Sequence, residues 1–125
     1  MLAHAQRSGS SKSKCLIVGI CDDRLAMLLA EEAKGSCALI DWISDCGCQY
    51  IRRLNWRKYA HVYCSMDSYQ RCLDRLNPVA GAVEITIVMT DKDEVLSLTQ
   101  LPVPTSVKKK YFMPEAQRLS NAVSL

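Results

Sequence analysis

The segment Cys15-Leu-Ile-Val-Gly-Ile20 is continuously apolar and ends abruptly at Asp22-Asp23. An unbroken run of β-branched and aliphatic residues, without polar alternation, predicts a strand buried on both faces, the pattern of a parallel sheet covered by helices. Either aspartate can cap a helix, and its charge suits a helix N-terminus. Arg24–Lys34 then places Leu25, Leu28, Leu29 and Ala33 at helical spacing, and Gly35 is a natural stop. Cys37-Ala-Leu-Ile40 supplies a second strand. Strand, helix and strand in this order outline a βαβ unit, for which a parallel pair is the default.

Further along, Tyr50, Ile51 and Leu54 can line one face of a short helix, and Ala60–Cys64 reads as a third strand. Asp67 or Ser68 can cap a helix carrying Tyr69, Cys72, Leu73 and Leu76 on one side, which Asn77-Pro78 ends. From Val83 to Thr90 the pattern alternates, with Val83, Ile85, Ile87 and Met89 set against Glu84, Thr86 and Thr90, Val88 being the exception. Period two predicts a strand with one buried face and one largely polar face. Asp91-Lys-Asp-Glu94 reads as a turn and Val95–Gln100 as a returning strand, an antiparallel hairpin. Lys108–Lys110 leads into an edge strand at Tyr111-Phe112-Met113. The expected fold class is therefore α/β: a short parallel strand–helix–strand core that finishes in an antiparallel hairpin. A chain of 125 residues supports one such core. The expected organisation is a basic leader over residues 1–14, a single domain over 15–113 and a tail over 114–125.

Charge is unevenly placed. The formal net charge is +3, and the excess comes from Arg7, Lys12 and Lys14 in a Ser-rich, acid-free leader; the remaining chain holds 13 basic and 13 acidic residues. A solvated tail is the plain reading of that leader, and a mitochondrial targeting peptide the sharper one. The longest apolar run, Cys15–Cys21, is seven residues, too short to cross a bilayer. No secretory signal is evident, so no membrane partner is expected. Seven cysteines, an odd number, then point to reduced thiols in a cytoplasmic or nuclear compartment. Cys15, Cys21 and Cys64 fall within or at the ends of apolar strands, as small hydrophobes do. Cys46-Gly-Cys48 is the one close pair; its spacing and the isolated His4 and His61 do not make a zinc set. No metal or cofactor is expected.

No phosphate loop follows the first strand, and the carboxylates of Asp22 and Asp23 would repel a phosphate there. Asp22, Asp23 and Asp41, at the ends of two early strands, resemble the acidic pocket of response-regulator receivers. A receiver also needs a phosphoacceptor aspartate after its third strand and a lysine after a later one. Here the third strand ends in Cys64-Ser65-Met66-Asp67, with no later strand in evidence to deliver the lysine. Capping and solvation are the plainer roles. Neither histidine has an evident nucleophile in sequence, and no catalytic residues are expected.

Arg52, Arg53, Arg57 and Lys58 form the densest basic cluster, interleaved with Tyr50, Trp56 and Tyr59. Basic groups neutralise phosphates and aromatic rings stack on unpaired bases, so the mixture suits RNA. On a helix, Arg53 and Arg57 would share one face, with Arg52 about 100° away. A solvated helix face over a packed Trp56 is the plain alternative.

Asp41-Trp-Ile-Ser-Asp45 followed by Arg53-Leu-Asn-Trp56 resembles the element that, in the fifth-subunit family of the Elongator complex, follows the second strand. Lys14–Lys34 also resembles that family's strand–helix opening without a phosphate loop. The resemblance implies a RecA-like fold, partial here, with no working ATP site. It implies a non-catalytic assembly subunit in a hetero-oligomeric ring of RecA-fold subunits, which binds tRNA and supports wobble-uridine modification. Asp41, Trp42, Asp45, Leu54, Asn55 and Trp56 would then be structural or interface anchors. The alternative from the residues alone is a small α/β binding or thiol-redox protein using Cys46 and Cys48.

Overall fold

The computed structural model describes residues 14–44 and 49–112. The expectations for the leader before Lys14, for the tail over 114–125, and for Asp45, Cys46 and Cys48 therefore lie outside the described residues. Within them the chain is α/β: strands β1 (Lys14–Val18), β2 (Leu39–Ile43), β3 (His61–Ser65), β4 (Glu84–Met89) and β5 (Lys108–Tyr111) form one sheet in the order β2-β1-β3-β4-β5. Every adjacent pair is parallel. The first connection is the expected helix, α1 (Asp23–Ala33). Asp22 caps it, its Oδ1 accepting from the Arg24 amide at 2.9 Å and the Leu25 amide at 3.4 Å.

The antiparallel hairpin is not what forms. Asp91 is a helix cap, accepting from the Asp93 amide at 2.8 Å, and Lys92–Leu98 is a helix, followed by β5 in parallel register beside β4. Asp93 and Glu94 in the first turn complement the helix dipole, and Leu98 is its buried residue. Local capping chemistry thus outweighs the β-propensity of Val95 and Leu96, both exposed. Smaller shifts follow the same logic. Ser65 caps the helix after β3 (Met66–Arg71), and Cys72 separates it from a short helical turn over Leu73–Leu76. The second strand begins at Leu39, leaving Cys37 before it, and Lys14 belongs to β1.

Two apolar clusters hold the sheet between its covering elements. The larger joins Leu16, Val18, Val62, Cys64, Ile85 and Ile87 on one face to Trp56, Tyr69, Leu76 and Leu98 from the connections. The smaller joins Cys15, Ile17 and Val88 on the opposite face to Ala26, Leu29 and Ala33 of α1. No helix among the described residues is long and apolar enough to cross a membrane.

Candidate functional site

A doubly wound sheet in the order 2-1-3-4-5 opens a crevice beyond the carboxyl ends of its strands, where the chain reverses from β2 to β3 across β1. Here that crevice has a volume of about 330 Å³ and is lined by Asp22 after β1, Ser65 and Asp67 after β3, and Thr90 and Glu94 after β4. Gly19 forms its floor. Its φ is +74°, and a Cβ there would stand 1.8 Å from Ser68 Oγ and 2.6 Å from Ser65 Oγ, so only glycine fits.

The polar groups of the crevice are tied to the backbone around them. Asp22 caps α1, and Ser65 Oγ accepts from the Ser68 amide at 3.1 Å. Glu94 Oε1 accepts from the Thr90 amide at 2.9 Å, and Asp67 pairs with Arg71 at 2.9 Å. Three helix N-termini meet here, and each is answered by an acidic or hydroxyl side chain. The crevice thus carries three carboxylates, Asp22, Asp67 and Glu94, and Asp23 does not line it. Its acidic members differ from those expected. Asp41 lies in mid-strand, where it accepts from the Tyr59 hydroxyl at 2.8 Å and pairs with Lys14 at 3.3 Å. Burial works against its charge, but these two partners hold its carboxyl below the usual range. The expected strand around Thr86 forms as β4, and β5 spans Lys108–Tyr111, yet no lysine lines the crevice. No group of three metal-ligating side chains occurs among the described residues.

A second constellation escaped the sequence reading. On one face of β3, β4 and β5, parallel register sets His61 beside Glu84, Tyr63 beside Thr86, and Thr86 beside Lys108. These side chains line an open groove of about 470 Å³. Glu84 Oε2 lies 3.2 Å from His61 Nδ1, and His61 Nε2 lies 3.0 Å from Thr86 Oγ1. Burial pushes the His61 pKa down, with Glu84 opposing it, so the ring is neutral at pH 7. Lys108 holds the Glu84 carboxyl below its usual range, so Glu84 only accepts. A neutral ring beside that carboxylate is best served with its proton on Nδ1, which leaves Nε2 to accept from the Thr86 hydroxyl. The Tyr63 hydroxyl donates to Glu32 at 2.7 Å, and Lys110 pairs with the same carboxylate. The period-two pattern around Thr86 was the available signal. Its pairing with His61, across 25 residues of sequence, was not.

The basic cluster is divided. Gln49–Arg52 is a short helix (α2) and Trp56–Lys58 a separate 3-10 turn, so Arg53 and Arg57 do not share a helix face. Arg52 is engaged: its guanidinium donates to the Arg71 carbonyl at 2.5 Å and pairs with Asp74 at 2.8 Å. Arg53, Arg57 and Lys58 are exposed, and Lys58 Nζ stands 5.3 Å from the Tyr59 ring centroid. Trp56 is buried at 4% exposure, Leu54 packs beside it against the larger cluster, and Asn55 starts the 3-10 turn without a side-chain cap. Trp42 is not buried with them. It is 46% exposed, with its indole N–H donating to the Ile20 carbonyl at 2.6 Å.

Burial raises the pKa of the Cys15 thiol to about 12, and those of Cys64 and Cys72 rise for the same reason. A thiol held protonated is a poor nucleophile, so these three behave as core residues. Cys21 is exposed at the rim of the crevice. Compared with models of known protein families, with curated proteins and with solved structures, the chain matches none.

Proposed function

We propose that the chain is a receiver-type domain that acts by docking to a partner protein, with a crevice not equipped to accept a phosphoryl group on its own. The observation that carries this reading is one site joining Asp22, Ser65 and Thr90 at the carboxyl ends of β1, β3 and β4. The strand order is the one shared by flavodoxin-type and receiver folds. A receiver places an aspartate at the end of its third strand; here Ser65 stands there, serving as a helix cap.

Adding that carboxylate tests the reading. Ser65→Asp preserves a good N-cap, so the fold should survive. Incubated with acetyl phosphate and magnesium, the variant should gain an acid-stable, hydroxylamine-labile aspartyl phosphate with release of acetate. The wild type should gain none. Labelling of the wild type, or a folded variant that stays unlabelled, overturns the reading.

A second reading, an Elongator-like assembly subunit that meets tRNA, is supported by the exposure of Arg53, Arg57 and Lys58 on one short connection. Arg52 no longer belongs to that set. If these groups meet phosphates, Arg53→Ala/Arg57→Ala should lower the salt slope of tRNA binding by about one unit per charge removed. An unchanged slope and affinity would identify a solvated surface.

A further inference from the structure

The two edges of the sheet are built differently. β5, at one edge, carries Lys108, Lys109 and Lys110 in its four residues. Lysines along an edge strand deter pairing with another chain, because pairing would crowd and desolvate them. β2, at the other edge, reads Leu39-Ile-Asp-Trp-Ile43 and has no lysine, proline or glycine. Leu39 is 60% exposed and Trp42 46% exposed. Its one charged residue, Asp41, is engaged within the chain by Lys14 and Tyr59, so this edge carries fewer of the devices that deter main-chain pairing than β5 does.

The order of those five residues selects the partner. Apolar, apolar, Asp, apolar, apolar is the same pattern in both directions, so an antiparallel copy of β2 complements it. Centred on Asp41, the pairing sets Leu39 opposite Ile43 of a second copy and Ile40 opposite its Trp42. Aliphatic and aromatic cross-strand pairs of this kind are favourable. The central juxtaposition brings two Asp41 side chains together, but each already has its own Lys14 ammonium at 3.3 Å and a Tyr59 hydroxyl at 2.8 Å. The Trp42 ring is held by its bond to the Ile20 carbonyl, so less side-chain freedom is lost on association. A two-fold contact of this type closes after two subunits and leaves the lysine-bearing β5 edges outermost.

We propose that β2 is a self-pairing edge, through which two copies of this chain join antiparallel about Asp41 into one ten-stranded sheet. This does not rest on the receiver or the tRNA reading. A five-residue edge is a small contact, so the association should depend on concentration over an accessible range.

Sedimentation velocity of the full chain across a roughly hundred-fold concentration range should show a monomer–dimer equilibrium. Leu39→Lys and Trp42→Lys, both at exposed positions, should each weaken it by about tenfold or more. Tyr111→Lys on β5 should leave it unchanged. Backbone hydrogen exchange gives a second test, independent of the variants' folding: the amides of residues 39–43 should gain protection as wild-type concentration rises. A monomer at every concentration, growth beyond the dimer, or dissociation by the β5 variant would overturn the proposal. So would exchange in β2 that does not depend on concentration.

Discussion

The two faces of β3 and β4 are made of neighbouring residues, yet they follow opposite rules. One face presents Val62, Cys64, Ile85 and Ile87 to the larger apolar cluster, closed over by Trp56 and the connecting helices. The other presents His61, Tyr63, Glu84 and Thr86 to an open groove, with Lys108 and Lys110 of β5 alongside. Parallel sheets are ordinarily covered on both faces, and their strands are apolar throughout. β1 has that character: its Cys15, Leu16, Ile17 and Val18 are all buried, with α1 over one face. On β3 and β4 the same face is more polar: Tyr63 and Thr86 are buried and Val88 packs with the α1 residues, while His61 and Glu84 reach the groove. The difference teaches that the groove is stabilised by a mutually satisfied polar network, and that its energetics should be smaller and pH-dependent.

The sharpest test of the comparison is on the apolar side. Trp56→Ala should cost about 3–5 kcal/mol, read as a fall in the denaturation midpoint at constant slope. The lower end is expected, since the buried indole N–H has no hydrogen-bond partner among the described residues and its removal relieves that penalty. A loss below about 1 kcal/mol would mean that this face is not the one that holds the domain together.

On the polar side, Thr86→Val keeps the shape and removes the hydroxyl that meets His61 Nε2. The expected cost is about 1–3 kcal/mol, the range for leaving a buried acceptor unsatisfied. A neutral result would show that the His61 nitrogen finds another donor in the open groove.

The pH dependence should also belong to this face. Burial lowers the His61 pKa in the folded state, so between that value and the ordinary one near 6.5 the unfolded chain binds the proton more readily. Stability from this group is therefore complete above about 6.5 and falls as the pH drops through that value, levelling once the folded state also protonates. Melting temperatures across this window should decline for the wild type and flatten for His61→Gln. The depressed carboxyls of Glu84 and Glu32 add a separate loss at more acidic pH, as the solution falls through their folded values. A wild-type profile that rises toward acid would contradict the histidine's burial.

The smallest effect is expected at the rim. Lys108 and Glu84 form an exposed ion pair, and such pairs contribute about 0–1 kcal/mol. Lys108→Ala should accordingly shift stability by less than Thr86→Val and should lose its effect at high salt. A larger penalty would make the groove a rigid part of the core.

Much of this organisation was legible in local chemistry. The unbroken apolar run of β1, the Asp22 cap and the α1 helix are properties of contiguous residues and form as expected; of the expected stripe Leu29 and Ala33 are buried, while Leu28 is exposed and Ala26 takes its place in the core. The alternation around Thr86 likewise announced a strand with one polar face. The segment after Asp91 departs from its strand-like composition, Val95-Leu-Ser-Leu98, because the Asp91 cap and the acidic first turn, which also suit a turn, start a helix there. The basic connection failed for another reason. Arg52 was committed to Asp74 and the Arg71 carbonyl, groups about 20 residues away that no helical spacing could identify.

By itself, then, the sequence determined which segments could be buried on two faces, which on one, and where helices could begin, because periodicity and capping act over a few residues. The tertiary structure alone decided that β5 runs parallel beside β4, and that the edges of the sheet are the apolar β2 and the lysine-bearing β5. It alone decided that Asp22, Ser65 and Thr90 share one crevice while Asp41 belongs elsewhere, and that His61 stands between Glu84 and Thr86. Those relations depend on strand order and register, which arise only when distant segments compete to cover the same apolar surface.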